Sequence, residues 1–207
     1  MIINFLGDSI TEGCLASKYE NTFVYLLGQK LGAETRNYGI SGTRIAKQMM
    51  PSAIQSYDLY FASRVDNMKN DADFILVFGG TNDFGHGDAP FGQFGDKLPD
   101  TFYGAVDYLI NKLFQYYKQE QIIFLLPLHR VDENDAYINK NKKTLDEYRC
   151  AIKAVTKHYN IKTLDIKDEV GNADNNRLFA DGLHPNDEGH LLIADLLADK
   201  FKHFFNS

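Results

Sequence analysis

The run Phe74-Ile75-Leu76-Val77-Phe78 is apolar without interruption and is closed by Gly79-Gly80. Five consecutive apolar residues leave neither face of a strand fit for water, so this strand needs cover on both sides. That is the position of a central strand in a parallel sheet flanked by helices. Residues 121–126 repeat the pattern and stop at Pro127. Both runs exclude a sheet with one open face.

The segments between fit the same plan. Ile3-Asn4-Phe5-Leu6-Gly7 is a short strand running into the polar turn Asp8-Ser9, and Phe23, Leu26, Leu27 and Leu31 then recur at helical spacing before Gly32 as a stop. Residues 33–38 predict a second strand that ends in Gly39-Ile40-Ser41-Gly42. Pro51 breaks the chain, and Leu59, Val65 and Met68 predict a helix over 56–68. Residues 84–99, rich in glycine and without periodicity, predict a long functional loop. Helices are expected over 100–118 and 142–158, a fifth strand over 161–166 and a polar loop over 172–176. A last helix follows with Pro185 at its first position. The basic run at 139–143 reads as a solvated helix start.

About five strands alternating with helices, with no repeat and no linker in 207 residues, predict a single doubly wound α/β domain with a parallel sheet. Right-handed crossovers then bring the strand-end loops to one edge of the sheet. Ser9, Gly42, Asn82 and the turn from Asp181 to His184 are expected to converge there.

Composition removes several classes of function. No apolar run approaches the length of a membrane span. A formal charge of −6 argues against a general nucleic-acid binder, which needs clustered Lys and Arg. Cys14 and Cys150 are far apart and form no Cys-x-x-Cys pair, so reduced thiols are expected. The first residues lack a signal-peptide pattern, which predicts a cytoplasmic protein. Homo-oligomerisation is left open.

Serine becomes a nucleophile when a base takes its proton, and histidine can take that proton and return it. His184 is the candidate base for Ser9, and Asp181, three residues earlier, is close enough to hold its tautomer. The backbone N–H groups of Ser9 and Gly42 and the Asn82 amide are candidate donors to an oxyanion. Gly39 is a second candidate beside Gly42. Taken singly, Ser9 reads better as a turn or cap residue, Asn82 with Asp83 as an Asx-turn and Asp181 with His184 as a surface pair. Their joint occurrence in order favours the chemical reading. Asp8 is expected to position its turn by hydrogen bonds.

These residues resemble the GDSL-type, or SGNH, hydrolases. Gly7-Asp8-Ser9-Ile10 is similar to the family's first block with Ile in place of Leu. Ile40-Ser41-Gly42 resembles the second, Gly80-Thr81-Asn82-Asp83 the third and Asp181-Gly182-Leu183-His184-Pro185 the fifth. The resemblance implies a flavodoxin-like three-layer fold and hydrolysis of carboxylic esters or thioesters without a cofactor or metal. It also implies a triad of Ser9, His184 and Asp181 and an oxyanion hole of Ser9, Gly42 and Asn82. The Gly-x-Ser-x-Gly elbow of the α/β-hydrolases is absent.

The expected substrate is a small-molecule ester with a short, acetyl-type acyl group on a carbohydrate-like or other small alcohol. A lipase, lysophospholipase or thioesterase would use the same residues, and a non-catalytic binding protein could keep the same fold. Phe84, His86 and Arg130 are candidate substrate contacts. Each has an ordinary alternative: a hydrophobic cluster under a long loop for Phe84, an exposed loop histidine for His86, and an ion pair with Asp132 or Glu133 for Arg130. His86, His129 and Asp88 match no metal-ligand spacing.

Overall fold

The computed structural model describes residues 1–172 and 177–205, the last three by backbone alone. Five parallel strands, β1 (Ile2–Gly7), β2 (Glu34–Gly39), β3 (Phe74–Phe78), β4 (Ile122–Leu125) and β5 (Lys162–Leu164), lie in the order β2-β1-β3-β4-β5. This is the doubly wound order in which the connections reverse direction between β1 and β3. Gly7 pairs with both Gly39 and Phe78, so β1, β2 and β3 end level. The loops that follow them therefore start from one edge, as the sequence predicts.

Among the described residues eight α-helices connect and cover the strands: α1 (Ser9–Glu12), α2 (Phe23–Leu31), α3 (Phe61–Arg64), α4 (Thr81–His86), α5 (Phe102–Leu113), α6 (Leu145–His158), α7 (Lys167–Val170) and α8 (Asp187–Phe205). The central strands show why both faces need cover. Ile75, Val77, Ile122 and Phe124 pack with α5 and α6 in one core, whereas Leu76, Phe78, Ile123 and Leu125 pack with α2 and α8 in the other. Successive residues of a strand point to opposite faces, so an apolar run without gaps feeds both layers. Each such buried side chain is worth roughly 1.5–3 kcal/mol.

Several boundaries differ from the sequence expectation. The helix expected over 56–68 is reduced to α3 between 3₁₀ turns at Gln55–Asp58 and Val65–Asn67, and Leu59 is exposed. The loop expected over 84–99 begins inside α4, which carries Asn82, Phe84 and His86. Helix α5 starts after Thr101, whose hydroxyl accepts from the Gly104 N–H, and is shorter than expected at both ends. Helix α6 starts at Leu145, because Thr144 and Glu147 cap each other's backbone there, and the basic run at 139–143 precedes it as turns. Pro185 is not the first residue of α8: it forms an isolated bridge with Phe179, and Asn186 Oδ1 accepts from the Gly189 N–H as the helix opens. Of the loop expected over 172–176, residues 173–176 lie outside the described residues.

Candidate active site

The turn after β1 is built by Asp8. Its carboxylate accepts from the Ile10 N–H (3.1 Å) and caps α1, and Gly13 closes that helix at φ 105° by donating its N–H to Ser9 O. Ser9 is thus the first residue of a four-residue helix and lines the cleft. Glu12, one turn on, accepts from the N–H and the hydroxyl of Ser41, which ties the second loop to α1.

Arg64 holds the same corner from below. It is buried, and its guanidinium donates to Tyr38 O (2.7 Å), Gly7 O (3.0 Å) and Thr43 Oγ1 (3.1 Å) at the ends of β1 and β2. Gly39 has no room for a side chain, since a Cβ would lie 2.2 Å from Glu12 N, and its N–H donates to Asn37 Oδ1. Gly42, at φ 74°, lines the cleft instead. A Cβ there would meet the Tyr57 ring at 2.3 Å.

Ser9 Oγ lies 2.8 Å from His184 Nε2, and His184 Nδ1 lies 2.6 Å from Asp181 Oδ2. The other Asp181 oxygen accepts from the N–H groups of His184 (2.7 Å) and Leu183 (3.0 Å), so one carboxylate orients both the ring and the turn that carries it. Partial burial pushes the Asp181 carboxyl up, but the bonds from the His184 ring and these two N–H groups outweigh it and hold it below its ordinary value.

Asn82 reaches the cleft from the first turn of α4. Its amide donates to Thr43 O (3.0 Å), and its Oδ1 lies 3.1 Å from His86 Nε2. Asp83, beside it, is buried and accepts from the Ile45 (2.9 Å) and Ala46 (2.9 Å) N–H groups, fixing the loop after Gly42. Burial pushes Asp83 up to about 6. Asp8 rises to about 7, chiefly by burial and further by the charge of Asp83.

These groups line an open cleft of about 290 Å³ that holds Ser9, Gly42, Asn82 and His184 together. The sequence brings His86 and Arg130 to it as well. His86 is exposed on one side, while its Nδ1 meets Arg44 Nη2 (2.6 Å) and desolvation of its nitrogens, with the charges of Arg44 and Arg130, lowers it to about 4. Arg130 pairs with Asp132 and donates to Thr81 O (3.0 Å). Phe84 is not in the lining: it is fully buried, with Arg130 over its ring and Tyr148 at its edge. Its position on α4, three residues before Gly87, turns it to the core rather than to the cleft.

Cys14, Ser41, Tyr57, Gly85 and Leu183 also line the cleft, although the sequence reading gives none of them a site role. Arg44 was missed too; a buried cation in a polar loop carries no periodic signal. His129 lies elsewhere, bonded to Glu133 (2.8 Å) and Asp168 (3.1 Å), and Asp88 accepts from the Met49 and Met50 N–H groups. Among the described residues no group of three or more His, Cys, Asp or Glu side chains is arranged to hold a metal ion.

A family model described as GDSL-like Lipase/Acylhydrolase matches residues 5–192. A crystal structure of a protein from Lactobacillus plantarum is 31% identical, with 97% of this chain and 96% of that one covered and a TM-score of 0.81. A possible lipase from Chitinophaga pinensis is 22% identical over 100% and 99% of the two chains, TM-score 0.75. The lipase/acylhydrolase from Enterococcus faecalis is 19% identical over 98% and 95%, TM-score 0.69. The last two likenesses concern the fold. No curated protein matches the chain significantly.

Proposed function

This chain belongs to the GDSL-like lipase/acylhydrolase family and is a carboxylic ester hydrolase; on that premise we propose that Ser9 is its nucleophile, His184 its general base and acid, and Asp181 the group that orients His184. The observation that carries the reading is the unbroken chain of hydrogen bonds from Ser9 Oγ through His184 to Asp181, opening on a cleft.

In this reading His184 Nε2 takes the Ser9 proton as Oγ attacks the ester carbonyl carbon. The carbonyl oxygen becomes an oxyanion that accepts from the Ser9 N–H, the Gly42 N–H and the Asn82 amide. Preorganised donors of this kind are worth about 3–4 kcal/mol each. His184 then gives its proton to the leaving alkoxide, which departs as an alcohol and leaves an acyl group on Ser9. Water, deprotonated by the same ring, attacks the acyl-enzyme and restores the serine. Another acceptor in the place of water would give acyl transfer.

The substrate is a short-acyl ester of a small alcohol. What supports this is the size of the cleft and the Tyr57 ring standing against Gly42, which leaves little depth for a long chain. The exposed apolar residues Met49, Met50 and Ile54, on the segment that leads to Tyr57, favour the longer-chain reading instead. A series of p-nitrophenyl esters from acetate to decanoate separates the two. The short-acyl reading predicts kcat/KM highest for acetate or butyrate, and a maximum at octanoate or beyond contradicts it.

A further inference from the structure

We infer that Arg44 and His86 are positioning residues for Asn82, forming a hydrogen-bonded chain that decides which end of the Asn82 amide meets the oxyanion. The inference rests on the reading of Asn82 as an oxyanion donor.

The direction of each bond follows from what its partners can do. A guanidinium only donates. His86 Nδ1, 2.6 Å from Arg44 Nη2, must therefore accept. In a neutral ring the hydrogen is then on Nε2, which donates to Asn82 Oδ1 at 3.1 Å. At the other end of the same amide, Thr43 O can only accept, so the atom facing it at 3.0 Å is the amide nitrogen. The two constraints agree. With Oδ1 engaged by His86 and one amide hydrogen engaged by Thr43, the second hydrogen on Nδ2 is the one left to a ligand. A flipped amide would present an oxygen to the developing oxyanion and lose both bonds.

Arg44 is itself fixed. It is buried, and it also donates to Ser52 Oγ (3.1 Å), Tyr57 O (3.4 Å) and His86 O (3.3 Å). Asn82 and His86 are one helical turn apart on α4, so their side chains are neighbours. The positive charge behind the imidazole polarises each bond in turn and strengthens the donor at the end of the chain. The oxyanion forms only as the ester carbonyl is attacked, so the effect is expected in the chemical step and not in binding.

The test compares kcat and KM for p-nitrophenyl acetate in wild type, His86→Leu, His86→Gln, Asn82→Ala and the double variant Asn82→Ala/His86→Leu. The Gln side chain can accept from Arg44 and donate to Asn82; the Leu side chain can do neither. Expected is a fall in kcat of about 10-fold for His86→Leu with KM nearly unchanged, and recovery to within about threefold in His86→Gln. In the Asn82→Ala background, His86→Leu should have no further effect. Should His86→Leu not fold, His86→Ala gives the same comparison, since its truncated side chain is exposed and makes no clash. Equal losses in the Leu and Gln variants, wild-type kcat in His86→Leu, or a full additional loss in the double variant would each overturn the inference. If Asn82→Ala alone leaves kcat unchanged, it is the reading of Asn82 as an oxyanion donor that fails, and the inference with it.

Discussion

Ser9 Oγ and His184 Nε2 stand 2.8 Å apart although the two residues are 175 positions apart along the chain. Each residue sits on a short loop that a neighbouring carboxylate organises. Asp8 fixes the turn under Ser9, and Asp181 fixes the turn that bears His184 through two backbone N–H groups as well as the ring. The contact is therefore a consequence of two carboxylates, each organising a short loop.

Asp181→Asn is predicted to lower kcat by about 10²–10⁴, because an amide can face Nδ1 with its own N–H and so favour the wrong tautomer. One amide oxygen can still receive the Leu183 and His184 N–H groups, so the melting temperature should change by no more than about 3 °C. Measured together on an activated acetate ester and by thermal unfolding, a large loss of stability without a specific loss of kcat would argue for a purely structural Asp181.

Asp8 gives a prediction with a sign. Its folded pKa, about 7, lies above the ordinary aspartate value of 3.8. Its contribution to stability is therefore fully present below about pH 4 and is lost as the pH rises through about 7. His190, buried and lowered to about 4, works in the opposite sense: its contribution is present above about 6.5 and is lost as the pH falls through 4. Asp8→Asn isolates the first effect. Relative to wild type the variant should gain on the order of 2 kcal/mol between pH 5 and pH 8 in urea unfolding. A difference independent of pH would contradict the assignment.

Arg149→Met tests the support of the loop after β4. Arg149 is buried and donates to Pro127 O (2.8 Å), Leu128 O (2.7 Å) and Glu133 (2.9 Å). Removing it strands two buried carbonyl groups and leaves Glu133 without its arginine partner. The expected cost is about 2–4 kcal/mol in urea unfolding. A cost below about 1 kcal/mol would mean that the loop is held by other contacts.

What the sequence carries plainly is whatever obeys a period or a fixed order. The runs at 74–78 and 121–126 announce strands buried on both faces, and the four short blocks around Ser9, Gly42, Asn82 and His184 announce a site on one sheet edge. Local capping chemistry moved several helix ends: Thr101, the Thr144–Glu147 pair and Asn186 each start a helix at a place that apolar spacing alone does not mark. Phe84 was expected at the substrate because residues 84–99 lack periodicity, yet it belongs to a one-and-a-half-turn helix whose buried side it occupies. Arg44, Arg64 and Arg149 gave no signal in advance. Each is a buried cation bonded mainly to backbone carbonyls or to a neutral ring, and those partners are set by the fold and not by spacing along the chain.

If Ser9 carries the acyl group, covalent labelling finds it there. Intact-mass measurement after reaction with a fluorophosphonate should show one adduct, located by peptide mapping on the segment containing Ser9. The adduct should be absent in Ser9→Ala and formed at least about 10²-fold more slowly in His184→Ala. Ser9→Ala should also lose at least about 10³-fold in kcat on p-nitrophenyl acetate. An adduct on another residue, or hydrolysis by Ser9→Ala at the wild-type rate, would contradict the account.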